Sequence, residues 1–317
     1  MELVQQASKT GFRAEILEKV WHLMRLLEAI NRDSFLENRL ALKGGTALNL
    51  FLFQVPRLSV DIDLNYIGSS DRQVMLQERI QIDSLLEAIF LREGMSILCT
   101  PDRHAGGKWR LKYPSALGNF GNIEVDTNFM FRIPLWNTAT YNSHAVGGHS
   151  ASKVRLMNIY EIIGGKVTAL FARKAARDLF DVYQLCSLPG LERDKLRLAS
   201  ILYSSSSTVD LRSISLDNLS CNANEIKRLL IPLLKQDQQM NKWTQESNLI
   251  LDKCKNWFLS HLFPLDKNEV EFLNHFHDQG IINPTFLTDD LDIIEKIHQL
   301  PGLKWKLHVN SKYRTEE

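Results

Sequence analysis

The sequence predicts an α+β protein, a small mixed β-sheet with flanking helices followed by a helical domain. Three observations carry this. Short segments of alternating apolar and polar residues are confined to the first half of the chain. Glycine pairs at Gly44-Gly45 and Gly106-Gly107 punctuate those segments. From about residue 155 onward the apolar spacing turns helical.

The elements come in this order. Phe12, Ile16, Val20, Leu23, Met24, Leu27 and Ile30 gather on one face of a helix over residues 12–31. Residues 40–43 form a short strand, Gly44-Gly45 a sharp turn, and residues 46–53 a short helix with Thr46 near its N-cap. In residues 60–66, Val60, Ile62, Leu64 and Tyr66 fall on one side and Asp61, Asp63 and Asn65 on the other. A helix over 72–92 succeeds the capping candidates Ser69, Ser70 and Asp71 and stops at Gly94. Strands are expected at 95–100, 108–113 and 122–131, the last placing Glu124, Asp126 and Asn128 on one face. Residues 158–188 and most of the remaining chain read as helix, broken at Pro189-Gly190, Ser204 to Ser207, Pro264 and Pro284. We divide the chain into residues 1–154 and 155–317, the second expected to close a cleft on the first.

A chain of 317 residues, 44% hydrophobic and 24% charged, has the composition of an ordinary globular protein, against disorder or a fibrous architecture. The first residues lack the apolar core of a signal peptide, and no run approaches the roughly 18 apolar residues of a membrane span. A cytoplasmic protein without a membrane partner is expected. The 4 cysteines lack CxxC spacing, so no zinc or disulfide framework is expected. With 38 Lys plus Arg against 37 Asp plus Glu, no global charge draws nucleic acid, and any polyanion must meet a local patch.

The chemistry concentrates in Gly44-Gly45-Thr46 and Ser59-Val60-Asp61-Ile62-Asp63. A glycine turn entering a helix lets backbone N–H groups approach a phosphate, and the Ser59 hydroxyl can join them. Asp61 and Asp63, two apart on a strand, project side by side as hard ligands for one or two Mg²⁺ ions. Such ions serve in-line displacement at the α-phosphate of an NTP substrate. Asp126, on a later strand of the same polarity, is the candidate third ligand. A solvated strand face is the competing reading for all three acids, and the adjoining glycines and Ser59 weigh against it for Asp61 and Asp63.

Lys43-Gly44-Gly45-Thr46-Ala47-Leu48 and Arg57-Leu58-Ser59-Val60-Asp61-Ile62-Asp63-Leu64 together resemble the signature of the AbiEii/AbiGii toxin family, within the polymerase-β-like nucleotidyltransferases. Lys166, in GKVTALFARK, and Arg177-Asp178-Leu179-Phe180-Asp181 resemble the family's downstream motif. The text from Gly280 to Lys306 is similar to its helical end. The resemblance implies a nucleotidyltransferase toxin, a tRNA acceptor, growth arrest and an antitoxin encoded nearby. It implies that Lys166 neutralises the NTP phosphates and that one of Asp178 and Asp181 faces the site as a base or to orient Lys166. The spacing of Lys166, Arg173 and Arg177 lets one helical face present three cations to a triphosphate, provided the helix continues. In an arbitrary helix, RDxxD more often means a surface salt-bridge network.

Two rival functions use the same residues: attachment of a nucleotide to Ser, Thr or Tyr of a protein, and non-catalytic nucleotide binding, which could dispense with Asp61 and Asp63. Other features invite simpler readings. His104 and His144 sit in loops, and His275 and His277 point to different helix faces, which disfavours a metal pair. Trp109 among Lys108, Arg110 and Lys112 could stack on a base, but such a strand is more often amphipathic.

Overall fold

The computed structural model describes residues 2–101, 106–235, 242–243 and 245–314, with side chains described through Val309. His104 lies outside the described residues. The chain forms two compact units. Residues 1–132, 137–157 and 227–243 make the first, and residues 133–136, 158–226 and 244–317 the second.

The first unit is built on a seven-stranded mixed sheet in the order β3-β4-β5-β2-β1-β7-β6. Its strands are β1 (Leu40–Lys43), β2 (Asp61–Tyr66), β3 (Ser96–Cys99), β4 (Gly106–Pro114), β5 (Phe120–Asn128), β6 (Ala139–Tyr141) and β7 (Val154–Leu156). β2 runs parallel to β5 and antiparallel to β1, while β1 and β7 are parallel. Helices α1 (Glu2–Thr10), α2 (Ala14–Arg32), α3 (Gly44–Thr46) and α4 (Arg72–Arg92) belong to the same unit. Ile62, Leu64, Trp109, Leu111, Ile123 and Val125 are buried on one side of the sheet. There Phe90 of α4 meets Trp109 edge-on at 5.4 Å, and His22 of α2 lies against Tyr113 at 4.1 Å.

Several boundaries move for identifiable reasons. β5 ends at Asn128, short of the expected residue 131, because the Asn128 side chain accepts from the N–H groups of Met130 and Phe131 and turns the chain. The helix at the glycine pair begins at Gly44 as α3 and widens into a π-helical stretch over Ala47–Leu52. Thr46 is therefore inside the helix instead of capping it. Strands β6 and β7 are too short for an alternation signal. By contrast α4 spans Arg72–Arg92 as expected, with the Asp71 carboxylate accepting from the N–H groups of Gln73 and Val74.

The second unit is helical: α5 (Ile159–Arg173), α6 (Ala176–Leu185), α7 (Arg193–Ser205), and later helices at Ser247–His261, Lys267–Asn274, Leu291–Gln299 and Pro301–Arg314. α5 packs closely on α7 at Gly164, where an added Cβ would stand 2.8 Å from the Ala199 carbonyl oxygen. Ser204 and Ser205 are buried in the last turn of α7, so the serine run ends a helix and is no linker. The buried Arg197 guanidinium ties α7 to the carbonyls of Leu262 and Pro264 and to Glu269.

Trp109 is only 2% exposed, which removes it from any role as a base-stacking platform. His275 lies against the Phe286 ring and His277 beside Asp210, and the two do not form a metal pair. Among the described residues no helix is long and apolar enough to cross a membrane.

Candidate active site

Sheet register assembles the first group of charges. Lys43 on β1 stands opposite Asp63 on β2, Asp63 opposite Asp126 on β5, and Asp126 opposite Lys108 on β4. One pleat away, Asp61 stands opposite Glu124 and Glu124 opposite Arg110. Cross-strand partners share a face, as do residues i and i+2 of one strand. Seven charged residues thus lie on the side of the sheet away from the Trp109 core.

Charges on this face sort into two groups. Glu124 is held by Lys108 at 2.8 Å and Arg110 at 3.3 Å, and the Lys108 hydrogen bond keeps its carboxyl below the usual range. Asp126 is pushed the other way, first by burial and then by the adjacent Asp63 charge, with Lys43 and Lys108 pulling against them. Burial lowers the Lys43 ammonium while Asp63 and Asp126 draw it back up. Asp63 and Asp126 are thus crowded like charges in a half-buried row, framed by a lysine at each end.

The glycine bend lies against this row. Gly44 has φ +73°, the left-handed region that glycine enters without penalty. A Cβ there would run into the Asp63 carboxylate, ending 3.1 Å from its Cγ and 3.3 Å from its Cβ. The bend and the second acid of the DxD pair are in contact, and only the missing side chain permits it. Gly45 is buried behind Gly44, and its carbonyl accepts from the Asn49 amide at 2.9 Å.

Thr46 and Ser59 serve this arrangement from below. The Thr46 hydroxyl donates to the Asp61 carbonyl and lies 3.0 Å from the Ser59 hydroxyl, with both residues buried. These contacts bind the start of the helix to the start of β2.

Asp61, Asp63 and Asp126 offer the hard carboxylate oxygens that Mg²⁺ prefers. The crowding that lifts the Asp126 carboxyl is of the kind a divalent cation relieves, so the donor chemistry fits. Among the described residues no three His, Cys, Asp or Glu side chains converge into a ready cage. Lys43 joins the acid row without having been singled out in the sequence. Its signal is a cation closing the apolar strand Leu40-Ala41-Leu42 next to the glycines.

The second unit holds another charge cluster. Lys166 lies 3.1 Å from an Asp178 oxygen and 2.8 Å from an Asp181 oxygen, and Arg173 adds a 2.6 Å bond to Asp178. Asp178 and Asp181 are fully buried and Lys166 is 8% exposed, so the surface salt-bridge reading is wrong. Burial works to raise the Asp178 carboxyl, but Lys166 and Arg173 outweigh it and hold it below the ordinary range.

The three-cation helical face does not form. Lys174 takes a left-handed conformation at φ +51° and ends α5, and α6 starts at Ala176. Arg177 therefore sits on a different helix from Lys166 and Arg173. The same break turns Asp178 and Asp181 back onto Lys166. Both acids meet that lysine, so the choice between them does not arise within this unit.

A bend that brings bare backbone against strand carboxylates, with cations framing the acids, offers the groups that phosphate-chain chemistry uses. Residues 25–255 match the family model described as nucleotidyl transferase AbiEii toxin, type IV TA system. The chain belongs to this family of nucleotidyltransferase toxins. The text after Gly280 lies beyond the matched residues. Among solved structures, MenT4, a nucleotidyltransferase toxin from Mycobacterium tuberculosis, is similar in fold, with 17% identity, TM-score 0.59, and coverage of 97% of this chain and 98% of that one. No curated protein matches the sequence.

Proposed function

We propose that this toxin transfers a nucleoside monophosphate from an NTP to a hydroxyl of tRNA, releasing pyrophosphate, and that growth arrest results from the modified acceptor. The reading rests on one observation: the Asp63 carboxylate lies against Gly44 with Asp126 beside it in register. Asp61, Asp63 and Asp126 would hold Mg²⁺, which when bound supplies positive charge to the reacting phosphate. The Gly44-Gly45 backbone would receive the phosphate chain, with Ser59 and Thr46 fixing the bend. Lys43 and Lys108 would flank the acid row, standing opposite Asp63 and Asp126 in register. In the second unit Lys166, Arg173 and Arg177, divided between α5 and α6, are the proposed phosphate-neutralising cations, with Asp178 and Asp181 orienting Lys166. A type IV toxin also implies a cognate antitoxin, whose repression of growth arrest completes the system.

The test incubates the purified protein and Mg²⁺ with each α-labelled NTP, offering total tRNA in one arm and a protein extract in the other. Label should enter tRNA with the wild type and fall to background with Asp63→Ala. Label entering protein alone would replace the acceptor, and equal labelling by Asp63→Ala would overturn the site.

A further inference from the structure

Cysteines scattered in sequence are brought together in the second unit. Cys186 comes directly after the last residue of α6, and Cys254 lies mid-way along helix Ser247–His261. The Cys186 thiol donates to the Val182 carbonyl at 3.3 Å and reaches the carbonyl oxygen of Lys253, the residue before Cys254, at 3.9 Å. Cys186 is partly exposed, whereas Cys254 is fully buried behind it. Lys253 closes over the end of α6, donating to the Ser187 hydroxyl at 2.9 Å and lying 4.7 Å from the Tyr183 ring centre.

We infer that Cys186 and Cys254 form an oxidisable thiol pair, in which Cys186 is attacked by a hydroperoxide and Cys254 resolves the product into an intramolecular disulfide. The two positions divide the chemistry. Cys186 has access to solvent and sits beside the Lys253 ammonium, both of which favour a reactive thiolate. The interaction with Cys254 and the Lys253 charge hold its thiol below the ordinary range against the effect of burial. Cys254 is held far above that range, first by its interaction with Cys186 and also by burial. It therefore keeps its proton until Cys186 has reacted.

In the first step the Cys186 thiolate attacks the distal peroxide oxygen. The O–O bond breaks, the sulfur becomes a sulfenic acid, and the other oxygen leaves as water or an alcohol after taking a proton. In the second, the Cys254 sulfur attacks the Cys186 sulfur. The S–O bond breaks, its oxygen leaves as water with the Cys254 proton, and one S–S bond has formed. Cys221 is the nearest competitor, since its charge also raises Cys254, but its own thiol is pushed up to about 11 by burial and Glu225. It is the poorer nucleophile.

The test treats full-length protein with stoichiometric hydrogen peroxide, blocks remaining thiols under denaturing conditions, and maps the peptides without reductant. Expected are loss of two hydrogens from the chain, two thiols fewer to block, and a peptide joining 186 to 254 that a dithiol reductant separates. Cys254→Ser should stop at a sulfenic acid on Cys186, trapped by a 1,3-diketone. Cys186→Ser should leave Cys254 reduced at the same dose, its oxidation slowed at least about tenfold, as expected for a buried protonated thiol. Four free thiols in the treated wild type would overturn the inference. So would a bond from Cys221 to either partner, or equal oxidation of Cys254 in Cys186→Ser.

Discussion

Gly44→Ala tests the contact on which the proposed nucleotide site depends. An alanine at φ +73° carries backbone strain of about 1–2 kcal/mol. Its methyl group would also collide with the Asp63 carboxylate, and since Asp63 Cβ is only 3.3 Å away, the short side chain must leave its rotamer. That adds about 0.5–1.5 kcal/mol. A total of about 2–3 kcal/mol corresponds to a melting temperature lower by roughly 5–10 °C for a unit of this size. Gly118→Ala is the matched control. Its φ is +91° and nothing lies within 4 Å of the added methyl, so it bears strain without collision. Thermal melts of both variants separate the two costs, and a second Gly44→Ala in an Asp63→Ala background isolates the collision. There the cost of Gly44→Ala should shrink by about 1 kcal/mol, a coupling typical of residues in contact. Growth arrest should be lost with Gly44→Ala and kept with Gly118→Ala. If Gly44→Ala costs the same with and without the Asp63 carboxylate, the bend and the acid are not in contact and the site geometry is wrong.

Buried charge supplies further tests. Lys166→Met leaves Asp178 and Asp181 buried without their shared cation and should cost about 3–5 kcal/mol in urea unfolding. Adding Asp178→Asn and Asp181→Asn should restore much of that loss, and no restoration would mean the lysine does not compensate them. Loss of toxicity in a Lys166 variant must accordingly be read beside its melt. Glu161 is pushed up to about 7, chiefly by burial, with the N–H groups of Leu135 and Trp136, the Tyr203 hydroxyl and Lys296 acting in the opposite sense. Its folded value lies above its unfolded value, so the folded state holds the proton longer and the associated stability is lost as pH rises from about 4.5 to about 7. Glu161→Gln should abolish that fall, worth at most about 3 kcal/mol, and parallel urea midpoints for both proteins at pH 5 and pH 8 would count against it. Trp109→Phe should lower stability by about 1–2 kcal/mol through lost burial and leave nucleotide incorporation unchanged, which a labelled-NTP assay reads directly.

The sheet half of the fold was legible because a half-buried strand advertises itself by alternation, and Asp61-Ile62-Asp63-Leu64 does so over its whole length. The meeting of Gly44 with Asp63 was foreseeable in kind, because a glycine pair between a strand and a helix permits a close approach. Its partner in that approach was not, since pairing of β1 with β2 is fixed by register across the helical segment and loop that join them. Strand pairing also decided that Lys43 and Lys108 flank the acids, which no local pattern encodes. The helical half misled at Lys174, where a residue of good helix propensity adopts a left-handed turn. There burial of Asp178 and Asp181 against Lys166 prevails over local preference. The Cys186 and Cys254 contact depends on helix packing and is invisible in spacing.

The return of residues 227–243 to the first unit has a consequence for synthesis on the ribosome. The Leu58 amide, in the stretch leading into β2, donates to the Leu233 carbonyl at 2.9 Å. That partner is translated some 175 residues after Leu58. A nascent chain halted before it carries every acid of the DxD strand yet lacks the clasp on the approach to them. Prematurely terminated copies of this toxin should consequently be poorly armed, a safeguard written into the chain path itself.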